Sequence, residues 1–85
     1  MTDKMKILLN PKDKTAYNLA NVISISVSGN YLMLALTDGR EPRFVYGSAD
    51  ELYALFGAIM VFLGDDDAKV FDCQEFINNL QTNTL

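Results

Sequence analysis

Two counts restrict the chemistry open to this 85-residue chain: it has no histidine and one cysteine, Cys73. Without imidazole there is no usual general base, no usual zinc ligand and no serine or cysteine triad built on histidine. Cys73 stands at the predicted start of a helix, where the dipole lowers a thiol pKa and favours a nucleophile. It also shares an apolar face with Phe76, Ile77 and Leu80, and free cysteine is commonly buried, so it reads as a small core residue. The run Asp65, Asp66, Asp67 offers the carboxylate oxygens that hard cations take. An EF-hand loop starting there would need a carboxylate or amide at its fifth place and glycine at its sixth, where Lys69 and Val70 stand. The triplet therefore reads as a solvated turn. Gly29, Gly39, Gly57 and Gly64 are scattered, and none opens a strand-to-helix phosphate loop. The sequence predicts no catalytic residue, no cofactor and no metal, and hence a protein that is not an enzyme.

What remains is surface that could hold a partner. Ser24, Ser26 and Ser28 alternate with aliphatic residues and, across a predicted hairpin, meet Ala35, Met33 and Tyr31. Small hydroxyls beside an aromatic ring and a methionine can form a flat contact surface, with Ser24, Ser26, Tyr31 and Met33 at its centre. An ordinary wetted sheet face has the same composition. Charge is uneven: residues 1–43 hold six Lys/Arg against four Asp/Glu, residues 44–85 one against seven, for a net charge of -4. The acidic half opposes phosphate-backbone binding, which needs clustered lysine and arginine, so no nucleic acid partner is expected. Asp65, Asp66 and Asp67 with Asp72 and Glu75 could instead steer association with a basic protein, and an acidic inhibitor or regulator is the alternative function.

The elements that position these residues follow from pattern. Residues 5–9 read as a short strand, 10–14 as a turn, and Tyr17-Asn18-Leu19 as the start of a second strand. Over residues 21–28, Ile23, Ile25 and Val27 point one way and the serines the other. A two-residue turn at Gly29-Asn30 sets Ser28 opposite Tyr31, Val27 opposite Leu32, Ile25 opposite Leu34 and Ile23 opposite Leu36, placing every large aliphatic on one face. At Asp38-Gly39 a two-residue loop would bury Glu41 and Arg43 among leucines, which is costly. A three-residue loop with Gly39 left-handed moves Phe44 and Tyr46 onto the Leu32/Leu34 face instead. Pro42 then marks an edge strand, where its missing N–H is not needed.

Ser48 with Glu51 forms a capping box that starts a helix, which runs to about Leu63, with Gly64 as a left-handed stop. Leu52, Phe56, Ile59 and Leu63 make one stripe on it, and Ala54, Gly57, Ala58 and Val61 a second, smaller one. A helix on a sheet buries only one stripe. The second is predicted to meet the C-terminal segment or another copy of the chain. Asp72 caps a final helix over residues 73–81, Val70-Phe71 reads as an extended link, and residues 82–85 as a frayed tail.

The expected fold class is α+β in one domain over residues 1–85: an antiparallel β-meander of three to four strands packed on a hydrophobic helix, with a short second helix at the C-terminus. The longest apolar run, residues 52–63, is far short of the roughly 20 residues that cross a bilayer, so no membrane partner is expected. The N-terminal Met1-Thr2-Asp3-Lys4 lacks a secretory pattern, and one cysteine cannot close an internal disulfide, which makes the cytoplasm the expected compartment. The order of strands, turns and capped helix is similar in general pattern to small bacterial and phage proteins, and implies no activity. The function expected is non-enzymatic: protein–protein interaction or self-assembly, as a homodimer or higher oligomer.

Overall fold

Alternation, turns and caps assemble into two three-stranded sheets and two helices, an α+β fold, in a computed structural model that describes residues 5–82. The readings made for Met1–Lys4 and for residues 83–85 lie outside that range. Strands β1 (Ile7–Asn10) and β2 (Thr15–Asn18) form a hairpin. A 3₁₀ turn, Leu19–Asn21, leads into the meander β3 (Val22–Ser28), β4 (Tyr31–Leu36) and β5 (Arg43–Tyr46). Helix α1 (Ala49–Gly64) follows, then β6 (Val70–Asp72) and helix α2 (Cys73–Thr82). The second strand begins at Thr15, two residues before the predicted Tyr17, because the turn closes tightly at Lys14 with φ 57°. The link at Val70-Phe71 is a true strand, paired parallel to β1.

Gly29 takes φ 60° and closes the β3–β4 hairpin in the predicted register: Ser28 faces Tyr31, Val27 faces Leu32 and Ile25 faces Leu34. The register then slips between Val22 and Ser24, so Val22 rather than Ile23 faces Leu36, and Ile23 is expelled to the surface at 69% exposure. The extra residue of a β-bulge inverts the alternation beyond it, which is why strict period-two counting put Ile23 inside. Gly39 is left-handed at φ 92°, and Leu36 exchanges backbone bonds across a three-residue loop, accepting from Gly39 at 3.0 Å and donating to Arg40 at 2.8 Å. A second bulge lies between the pairs Leu32–Val45 and Met33–Arg43. Phe44 and Val45 are both buried as a result, while Tyr46, predicted to be inward, pairs with Tyr31 on the outer face.

The capping box is complete: Ser48 Oγ accepts from the Glu51 N–H at 3.2 Å, and Glu51 Oε1 accepts from the Ser48 N–H at 2.9 Å. Gly64 ends α1 without a positive φ, and Asp65 in extended backbone takes the cap, its N–H donating to the Phe62 carbonyl at 3.2 Å. Lys6 Nζ donates to the carbonyls of Asp65 and Ala68 in the loop just beyond, tying that loop to the residue before β1. The buried stripe of α1 is Leu52, Leu55, Ile59 and Phe62. These meet Leu8, Leu32, Leu34, Leu36, Phe44 and Val45 from the strands and Cys73 and Ile77 from α2. Phe56 and Leu63, predicted to belong to this stripe, sit about one step round the helix and are only partly covered. Among the described residues no helix is long and apolar enough to cross a membrane.

Candidate functional site

Cys73 occupies the first turn of α2, whose start is held by Asp72 Oδ1 accepting from the Glu75 N–H at 2.9 Å. The side chain is sealed in the core, and burial, with the Asp72 carboxylate adjacent, pushes the thiol up to about 12. A thiol that stays protonated and out of contact with solvent is not a nucleophile at neutral pH.

Asp65, Asp66 and Asp67 lie exposed on the loop after α1, where Asp65 Oδ1 accepts from the Asp67 N–H at 3.0 Å. This is a local turn motif that spends one carboxylate on the backbone. Among the described residues no three acidic, cysteine or histidine side chains converge as metal ligands.

The hydroxyl face forms as a set. Ser24 and Ser26 are exposed, opposite Ala35 and Met33, with Tyr31 and Met33 half-buried beside them. The second bulge turns one side chain onto this face that alternation had put inside, Tyr46, which packs against Tyr31 with ring centroids 5.9 Å apart; the Arg43 guanidinium, opposite Met33, lies 4.8 Å over the same Tyr31 ring. The face is therefore rimmed by a cation and two tyrosines and is less neutral than its serines imply.

A polar cleft of about 270 Å³ opens between the β1–β2 turn and α2, with Asn10, Lys12, Asp13, Gln74 and Asn78 on its walls. Asn10 is 2% exposed and ties the cleft to the sheet, its Nδ2 donating to the Phe44 carbonyl at 2.6 Å and to Asp13 Oδ2 at 3.2 Å. Among the described residues its Oδ1 has no hydrogen-bond partner, and it is buried, so nothing entering the cleft reaches it in this arrangement.

Two apolar hollows run along β3. One hollow of about 250 Å³ is lined by Val22, Ile23 and Ile25 together with Met60 and Leu63, and a second of about 390 Å³ by Ile25 and Val27 together with Tyr53 and Phe56. Tyr53, Phe56, Met60 and Leu63 are spaced three and four residues apart and so form one line on α1. Tyr53 is 65% exposed, Met60 41% and Leu63 40%. Both hollows share Ile25, which makes them one groove between the strand and the helix. Pattern reading missed this line because α1 is apolar nearly all round and its stripes cannot be ranked by spacing alone. The legible signal was a hydrophobic helix with more faces than a small sheet can cover.

The predicted self-association stripe lies further round α1. Ala54, Gly57 and Val61 are exposed, Val61 at 73%, and Ala58 is half-buried. At 3.6 residues per turn they face away from the sheet. The described part of α2 packs on the opposite flank of α1 from the groove, where Gln81 Nε2 donates to Glu51 Oε2 at 3.1 Å, and covers neither exposed line. No protein family matches the chain, and neither a curated protein nor a solved structure matches it.

Proposed function

We propose that this protein is a non-enzymatic interaction module that assembles with itself, and that the groove between β3 and α1 is its contact. The observation that carries this reading is the concentration of large exposed apolar side chains, Ile23, Tyr53, Met60 and Leu63, along one groove of a small chain. Soluble monomers seldom leave contiguous apolar surface of this kind without a partner for it. Charge supports the same surface. Residues 15–37 carry no charged side chain in a chain of net charge -4, so two copies meeting there avoid the repulsion that any approach through the acidic loop would incur. The sealed thiol and the missing imidazole argue against a catalytic role. A fold with one cysteine has no internal disulfide to maintain, which suits the cytoplasm as its location.

The test is solution mass by light scattering over a concentration series from nanomolar to high micromolar. A homodimer at micromolar concentration is expected. A mass that stays at one chain, 9.5 kDa, throughout would overturn the reading.

A further inference from the structure

We propose that two copies join edge to edge through β3, antiparallel about a two-fold axis at Ile25, so that β5-β4-β3 of each copy merge into one six-stranded sheet. This rests on the self-association reading above and specifies its geometry. Among the described residues, in the order β3-β4-β5, β3 has one neighbour and one open side. Leu34 and Leu36 direct their N–H groups to Pro42 and Arg40 on the β5 side of β4, at 3.1 and 2.8 Å. Backbone groups alternate sides along a strand, so Tyr31, Met33 and Ala35 serve β3 through their partners Ser28, Ser26 and Ser24. The N–H and C=O of Ile25 and Val27 therefore point to the open side.

The two outer edges of this sheet are treated differently. On β5 and the segment before it, Arg40, Glu41, Pro42, Arg43 and a bulge block a further strand. β3 spans seven residues with no proline and no charge, and its only irregularity is at the Val22 end. A long, uncharged edge beside an apolar groove is a template for pairing.

The occupant is a second copy because the strand complements itself. With Ile25 facing Ile25 across the axis, the two exchange both backbone bonds and Ser24 of each faces Ser26 of the other, all within the regular stretch, while Val27 of each copy comes beside the bulged end of the other at Ile23. Aliphatic residues thus continue one face and hydroxyls the other. The axis also brings the two lines Tyr53, Phe56, Met60 and Leu63 towards each other over the joined strands. At roughly 150–200 Å² per large side chain, the exposed fractions of Ile23, Tyr53, Met60 and Leu63 amount to about 350 Å² per copy. With the strand edges and the partly exposed Ile25, Val27 and Phe56 added, two copies bury on the order of 1,000 Å², the size at which specific interfaces begin.

Register-specific crosslinking tests this. Ser24→Cys and Ser26→Cys are exposed substitutions, and the buried Cys73 does not compete with them. In the proposed register positions 24 and 26 form a non-hydrogen-bonded pair with Cα atoms about 4.5 Å apart, within disulfide range. Like positions lie about 8 Å apart, from strand spacing and rise, and are out of range. Mixing the two variants under mild oxidation should give a crosslinked dimer combining one chain of each, at least ten times faster than either variant alone. If light scattering shows a dimer but the mixture gains nothing over the single variants, the edge pairing is wrong while self-association stands. If the protein is a monomer, both fall.

Discussion

Replacing Met60 by lysine separates the groove from the small-residue side of α1 with one measurement. Met60 is 41% exposed in the single chain, so its contribution to the monomer core is already incomplete. Lysine can lay its stem along the same path and keep its ammonium in water, and the monomer should lose no more than about 0.5 kcal/mol. In the dimer the change occurs twice. Fully burying a methionine stabilises by about 1.5–3 kcal/mol, so the exposed two-fifths is worth about 1 kcal/mol per copy and about 2 kcal/mol per dimer. That is a weakening of at least about 30-fold in the dimer constant before the cost of bringing two ammonium groups together is added. Val61→Lys is the matched control: at 73% exposure it stands on the side of α1 facing away from the sheet and should leave the dimer constant within about 3-fold. Sedimentation velocity over a dilution series reads both constants, and circular dichroism confirms that both variants fold. The reasoning is refuted if Val61→Lys dissociates the dimer and Met60→Lys does not, for then Ala54, Gly57, Ala58 and Val61 are the contact.

Four further expectations follow from the single chain. Cys73 should resist alkylation at pH 8 and react only in denaturant, since its thiol is buried and raised to about 12; rapid labelling of the native protein would place it at the surface. Gly29→Val forces a β-branched residue to φ 60° and should cost on the order of 2 kcal/mol in urea unfolding, whereas Gly29→Asn should cost under about 1 kcal/mol. Asn10→Ala leaves the buried Phe44 carbonyl without its donor and should cost about 1–3 kcal/mol; a neutral result would mean that the orphaned Oδ1 already cancels the bond. The Glu51 carboxyl is held below its usual value, first by the Ser48 N–H and then by the Gln81 amide. Its contribution is therefore full above the unfolded pKa near 4.5 and fades as pH falls through the lower folded value, so Glu51→Gln should reduce stability at pH 7 and flatten its fall on acidification.

The parts of the fold that could be read directly are those where one local rule acts alone. Gly29 sets the β3–β4 register, Gly39 the three-residue loop, Ser48 and Glu51 the helix start, and each stands as the chemistry of those residues predicts. The departures at Ile23 and Tyr46 share a cause. A bulge shifts one residue and inverts every side chain past it, and alternation along one strand carries no mark of where it falls: here it sets Val22 opposite Leu36 and Val45 opposite Leu32, with Val45 buried and Val22 packed against the core. The same limit hid the candidate site. Position on α1 distinguishes Leu55 and Phe62 from Phe56 and Leu63 by about one residue of rotation, and only packing against the strands decides which pair is core.

The placement of the two bulges bears on function as well as on register. The β5 bulge turns Tyr46 outward beside Arg43, where the two rim the hydroxyl face and leave an edge that already carries Pro42 unsuited to pairing. The β3 bulge is confined to the Val22 end and leaves the segment from Ser24 to Ser28 regular, with Ile25 at its centre. It also turns Ile23 out of the core and into the groove wall, so one irregularity converts a core aliphatic into contact surface. A bulge placed at the middle of β3 would have protected that edge at little cost to a strand already packed on one side only. That the regular stretch overlaps the self-complementary one, and lies within the longest part of the chain free of charge, residues 15–37, is the physical reason to look for the partner at β3 rather than at the acidic loop.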